Sequence, residues 1–180
     1  MCIRDRDYVI VDGFESEREY FRLSRMNLPG AKKPLSWNRW GNYVRDRLSH
    51  LALVRRTDLS APGTHALAFY SDNSFAPPGV AWAIKVDREL SKIFSLWFNS
   101  TLFILQLLVN RKETRGAFLQ LDEYTLNELK VPDLRYLSDS DIKILLNTFE
   151  RIRRIKLPNV LEQLQTSFWV RKIIDTTWLK

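Results

Sequence analysis

The side chains with most capacity for chemistry in this sequence are basic and aromatic. Arg111, Lys112 and Arg115 fall within five positions and are closed by Gly116, Arg55 and Arg56 are adjacent, Trp37 and Trp40 flank Arg39, and Arg151, Arg153 and Arg154 crowd one turn. Guanidinium and ammonium groups neutralise phosphates, and tryptophan faces stack on bases. Such runs suit nucleic-acid contact better than bond-breaking chemistry. Each run also has a plainer explanation. Arg111, Lys112 and the Arg151–Lys156 run complement the dipoles of helices ending beside them. Trp37 and Trp40 can cap one edge of a core with Arg39 turned outward, and that reading is the favoured one of the two.

The balance of charge points the same way. Lys and Arg number 28 against 21 Asp and Glu, a net +7, which favours a polyanionic partner, nucleic acid before an anionic membrane. Apolar residues make up 45% of the chain and aromatic ones 12%, enough for a packed core and against disorder. The single cysteine, Cys2, excludes an internal disulfide. His50 and His65 have no partners at metal-ligand spacing, so no metal site is expected. His65 is placed in or beside a strand, and His50 at the end of a helix or turn.

Enzymatic motifs are sought without success. The glycines are never clustered after a strand, so no nucleotide or methyl-donor turn is expected. The one Pro-Pro pair, Pro77-Pro78, lies between Ala76 and Gly79 and is not the Asn/Asp-Pro-Pro-aromatic tetrad of an amino-methyltransferase. Pro132-Asp133 followed by Asp141-Ile142-Lys143 imitates a magnesium-nuclease signature, but there the acids and the lysine sit on adjacent strands. Here Asp141 opens a helix and has a capping role, so the match is read as chance.

The elements that must position these side chains follow from pattern. Asp7–Asp12, Leu51–Thr57, His65–Ser71 and Val80–Val86 read as strands. The loops between the last three are too short for helical crossovers and predict antiparallel pairing. Asp87 caps one helix predicted from Arg88 to Val109, apolar except for a stripe of Lys92, Ser95, Asn99 and Gln106 expected to face solvent. Its Ile93–Val109 run is 17 residues long, at the short edge of a membrane span, and is interrupted by polar residues, so it is read as a core helix. Ala117–Leu121 is extended, Thr125 is expected to cap a helical turn, and Val131-Pro132-Asp133 is extended. Ser138 and Asp141 have capping-box spacing before a helix with Ile142, Leu145, Leu146, Phe149 and Ile152 on one face. Asn159 and Glu162 open a last helix toward Lys180, with Leu161, Leu164, Phe168 and Ile173 inward.

The fold class expected is α+β: a small, mostly antiparallel sheet of three to five strands packed on a buried apolar helix, followed by a C-terminal helical hairpin. Residues 1–6 read as a translated sequencing adapter and are set aside. Residues 7–50 form an N-terminal strand and irregular arm, 51–137 an α+β recognition core, and 138–180 the helical hairpin. The chain is then expected to be the C-terminal piece of a longer protein.

Several motifs in series resemble a known family. They are Leu-Val-Arg-Arg (53–56), Trp-Ala-Ile (82–84), Leu-Trp-Phe-Asn-Ser-Thr-Leu (96–102), Glu-Thr-Arg-Gly (113–116) and Leu-Asn-Glu-Leu-Lys-Val-Pro-Asp-Leu (126–134). The region from Leu51 to Lys180 resembles the C-terminal target-recognition region of N6-adenine DNA methyltransferases of restriction-modification and phage-defence systems. Trp97-Phe98 stands where that family usually has a leucine before the asparagine. The resemblance implies a cytoplasmic prokaryotic protein with double-stranded DNA as partner and no membrane. It implies an upstream methyltransferase domain of the same parent chain, which would bind S-adenosylmethionine and flip the adenine. No cofactor and no catalytic residue are expected in the chain itself. The residues expected to hold DNA are Arg111, Lys112, Arg115, Arg55, Arg56, Arg39, Trp37 and Trp40, with Arg151, Arg153 and Arg154 as weaker phosphate contacts. The alternative is a structural or subunit-docking domain of the same kind of complex, without direct DNA contact.

Overall fold

A computed structural model describes residues 44–110 and 118–179. The expected strand at Asp7–Asp12 and the Trp37–Trp40 segment lie outside the described residues. The fold is α+β. Strands β1 (Ser49–Val54), β3 (Ala68–Phe75) and β4 (Ala81–Ile84) form one sheet in the order β3-β1-β4, and β2 (Arg56–Asp58) pairs with β5 (Phe118–Gln120) in a second. All of these pairs are antiparallel. The pairing of β1 with β3 is irregular: between Ser49↔Phe75 and Leu51↔Tyr70 the register shifts, with the extra residues, Asp72 among them, forming a bulge in β3.

The single strand expected over Leu51–Thr57 breaks at Arg55. The Arg55 N–H donates to the Val80 carbonyl at 2.8 Å, beside the first sheet, while its carbonyl accepts from Leu121 N–H at 2.7 Å, just beyond β5. One residue thus joins the two sheets and sends the chain from one to the other. His50 is within β1 rather than at a helix end, with Nδ1 3.0 Å from the Ser71 carbonyl. His65 lies just before β3, and its Nδ1 is 2.9 Å from the Leu157 carbonyl, tying the sheet to the C-terminal helices.

The long apolar helix is two helices. α1 (Arg88–Phe98) and α2 (Thr101–Val109) meet at 65°. Asp87 caps α1 as expected, accepting from Leu90 N–H at 2.8 Å. At the break Asn99 ends one helix and Ser100 starts the next, its Oγ accepting from Phe103 N–H at 3.1 Å and donating to the Trp97 carbonyl at 2.7 Å. The Thr101 N–H donates to Asp175 Oδ1 at 2.8 Å, and Arg171 Nη1 donates to the Asn99 carbonyl at 3.1 Å. No single helix among the described residues is long and apolar enough to cross a membrane.

The polar stripe does not face solvent. Asn99 Oδ1 accepts from the N–H groups of Leu67 (2.8 Å) and Ala68 (3.3 Å), and its Nδ2 donates to the carbonyls of Ala68 (3.0 Å) and Ser95 (2.9 Å). Ser95 is buried. Gln106 bonds both backbone groups of Lys130, and Lys92 pairs with Glu150. Every member of the stripe is thus a tie to another element or a buried side chain.

α3 (Glu123–Glu128) is capped by Asp122, and Thr125 is instead its buried third residue, donating to the same carboxylate. Val131-Pro132-Asp133 is irregular and leads into a 3-10 turn, Leu134–Tyr136. α4 (Asp139–Ile152) has the capping box of Ser138 and Asp141. Its Leu145, Phe149 and Ile152 are buried against Ile93 and Leu96 of α1, with Ile142 and Leu146 packed at the margin. The last helix is also broken, into α5 (Val160–Gln165) and α6 (Trp169–Trp178). Between them Ser167 has φ 51°. Phe168 N–H bonds the Gln163 carbonyl and Ser167 N–H the Leu164 carbonyl, the paired bonds of a Schellman ending. Leu161 (41%) and Leu164 (37%), expected inward, are exposed, and Val160, Val170 and Ile174 are buried instead.

Two apolar clusters result. One holds Leu51, Leu53, Leu67, Phe103, Ile104, Leu107, Leu119 and Leu121, between the two sheets and α2. The other joins α1, α4 and α6. A buried polar chain links them: Gln163 Nε2 donates to the His65 and Pro158 carbonyls, and its Oε1 accepts from Arg171 Nη2 at 2.7 Å. Burial lowers the pKa of Arg171, and attraction to Asp175 opposes that shift.

Candidate nucleic-acid interface

The β2–β5 pair has one dry face and one wet face. Thr57 and Leu119, directly opposed, are buried at 6% and 4% exposure. Side chains alternate along a strand, so Arg56, Asp58, Phe118 and Gln120 share the other face. There Arg56 is opposite Gln120 and Asp58 opposite Phe118. The Arg56 guanidinium carbon lies 4.3 Å from the centre of the Phe118 ring, diagonally across the ribbon. Asp58 is committed to the following turn, its Oδ1 accepting from Ser60 N–H (2.9 Å) and Oγ (2.6 Å). The Ser60 hydroxyl, then the Ser60 N–H, hold its pKa below the ordinary carboxylate value.

Arg55 is held separately. Its guanidinium carbon is 4.2 Å from the centre of the Trp82 ring, and Nη1 donates to the Gly79 carbonyl at 3.3 Å. Trp82 in turn donates Nε1–H to the Leu121 carbonyl at 2.8 Å. An aromatic face beneath a guanidinium contributes about 0.5–1 kcal/mol at exposed sites and restricts where its N–H fork can point. Both adjacent arginines are therefore supported on rings, at the joint between the two sheets.

Arg111, Lys112, Arg115, Arg39, Trp37 and Trp40 lie outside the described residues.

The basic end of α4 is a different environment. Arg153 pairs with Asp72, from the β3 bulge, and with Glu150 at 3.1 Å. Asp72 also accepts from Arg88 at 2.9 Å and from the Tyr70 hydroxyl at 3.0 Å, and Glu150 accepts from Lys92. The Arg153 hydrogen bond, then that of Arg88, hold Asp72 well below the usual carboxylate range. The Lys92 hydrogen bond chiefly lowers Glu150. Arg153 also lies 5.6 Å from the Tyr70 ring centre and 5.5 Å from that of Phe149. Its charge is thus matched by two carboxylates, whereas Arg151 and Arg154 are exposed. A cleft of about 270 Å³ lies below this network, lined by Ala68, Tyr70, Ser95, Asn99, Arg153 and Val170 among others.

The acidic residues of the nuclease-like pattern are occupied in structural roles. Arg135 forks onto Asp133 and lowers its pKa to about 2, and Asp141 is in the capping box of α4. Among the described residues no group of three or more His, Cys, Asp or Glu is placed to hold a metal ion.

Sequence reasoning singled out Arg55 and Arg56 but missed Trp82, Phe118 and Gln120 as their neighbours. The alternation of Phe118-Leu119-Gln120 was a weak signal for an outward face, and the pairing of β5 with β2 has no local signal at all. Comparisons of the chain with protein-family models, curated proteins and solved structures find no match.

Proposed function

We propose that the chain is the DNA-holding, target-recognition portion of a site-specific adenine DNA methyltransferase, positioning duplex DNA for a catalytic domain upstream in the parent chain. The observation that carries the reading is the pair of ring-supported arginines at the sheet joint, Arg55 on Trp82 and Arg56 on Phe118. The net charge of +7 and the family resemblance support it. The division of labour leaves the chain to bind and orient, with S-adenosylmethionine held by the upstream domain.

Salt titration of duplex binding tests this. Three phosphate contacts, from Arg111, Lys112 and Arg115, give an expected slope of about −2.7 in log K against log salt, or about a 40-fold loss from 50 to 200 mM. A flat profile, or no duplex affinity at low salt, overturns it.

The second reading, a docking domain, is favoured by one feature. Leu105, Leu108 and Val109 on the outer face of α2 are 51%, 45% and 83% exposed, whereas a helix apolar on all sides is ordinarily covered. A chain that binds the upstream domain but no duplex would select this reading.

A further inference from the structure

We propose that Arg56 and Gln120 are a base-reading pair, and that the wet face of the β2–β5 ribbon enters the major groove with Arg56 on a guanine and Gln120 on a neighbouring adenine. The inference rests on the DNA-holding reading above. Three observations carry it beyond that reading.

The first is the identity and placement of the two side chains. They are directly opposed across the ribbon, and both are exposed. Arginine matches the O6 and N7 acceptors of guanine bidentately, and glutamine matches the N6 donor and N7 acceptor of adenine. The second is that both heads are uncommitted: among the described residues neither the Arg56 guanidinium nor the Gln120 amide takes part in a hydrogen bond. The neighbours differ, since Asp58 serves the Ser60 turn and Arg55 donates to Gly79. The third is support. Phe118 lies under the Arg56 guanidinium at 4.3 Å, so the fork is held before any base arrives and less rotamer freedom is lost on contact. A phosphate contact needs charge alone, whereas a base contact needs a fixed fork.

The scale also fits. Paired strands lie about 4.8 Å apart, and a two-stranded ribbon is one of the two elements the roughly 12 Å major groove admits. Thr57 and Leu119 hold the opposite face in the core, so the ribbon is backed rather than free to twist away.

The test is selection of bound duplexes from a random-sequence pool by the full 180-residue chain, followed by affinity on the selected site. The wild type should enrich a guanine and an adenine at nearby positions. Arg56→Ala should lose the guanine preference, and Gln120→Ala the adenine preference, each with roughly a 5- to 150-fold loss on the selected site. Arg56→Lys keeps the charge and should keep the salt slope while weakening the guanine preference less than Arg56→Ala does. Phe118→Ala should weaken that preference in part. The three positions substituted are on the wet face, and equal urea midpoints confirm that the variants fold. Salt-dependent binding with base preferences unchanged in Arg56→Ala and Gln120→Ala overturns this inference and leaves the DNA-holding reading intact. Absence of duplex binding at every salt concentration overturns both.

Discussion

Replacing Asn99 by alanine should be among the most damaging single changes in the chain, and its cost can be worked out bond by bond. The side chain satisfies the N–H groups of Leu67 and Ala68, and the two residues are 1% and 4% exposed. Water cannot easily replace what is lost there. An orphaned buried donor costs about 1–3 kcal/mol, and the 3.3 Å bond to Ala68 is the weaker of the two. The sum is about 3 kcal/mol. With a urea m-value of about 2 kcal/mol/M, the unfolding midpoint should fall by about 1.5 M. Gln106→Ala is the matched control. That amide makes two bonds to a backbone where Asn99 makes four, at 2.8 and 3.1 Å, and both go to Lys130, which is exposed. Its loss should cost about 1 kcal/mol or less, a shift of about 0.5 M or less. Chemical denaturation of both variants, followed by circular dichroism, decides the matter. Equal midpoints for the two would refute the reasoning, because burial of the partner groups would then not set the cost.

Two further outcomes are expected. Ser167 occupies a left-handed conformation at φ 51°, so Ser167→Gly should stabilise the chain by about 1 kcal/mol in the same assay; a destabilised variant would mean that the Ser167 side chain stabilises the turn. Asp72 has a folded pKa below its unfolded value because of Arg153 and Arg88, so its contribution is complete above about pH 4 and is lost as the pH falls below that. The contribution is modest, since the carboxylate is 42% exposed. The gap in urea midpoint between wild type and Asp72→Asn should therefore be largest near neutral pH and shrink by pH 3; a constant gap would exclude the ion pairs as its source.

What was legible in the sequence were the features decided within a few residues. Asp87 and Ser138 cap helices because the acceptor and the N–H it satisfies are three positions apart, and the buried face of α4 repeats at helical spacing. Reading failed where a local pattern was overruled from a distance. Over Arg88–Val109, apolar periodicity continues through Asn99-Ser100, and nothing nearby says that Asn99 will bond Leu67 and Ala68 or that Asp175 will take the Thr101 N–H. Those partners lie at the start of β3 and on α6, so the helix breaks for tertiary reasons. The candidate interface divides along the same line. Arg55 and Arg56 were visible as a charged pair, but what each can do depends on the ring beneath it, and Trp82 and Phe118 arrive from two different sheets. Adjacent residues on an extended chain point to opposite sides. One arginine is therefore spent on the joint through Gly79, and the other is left on the wet face beside Gln120. A charge count assigns both the same role; the alternation of the strand, together with where β5 pairs, is what separates them.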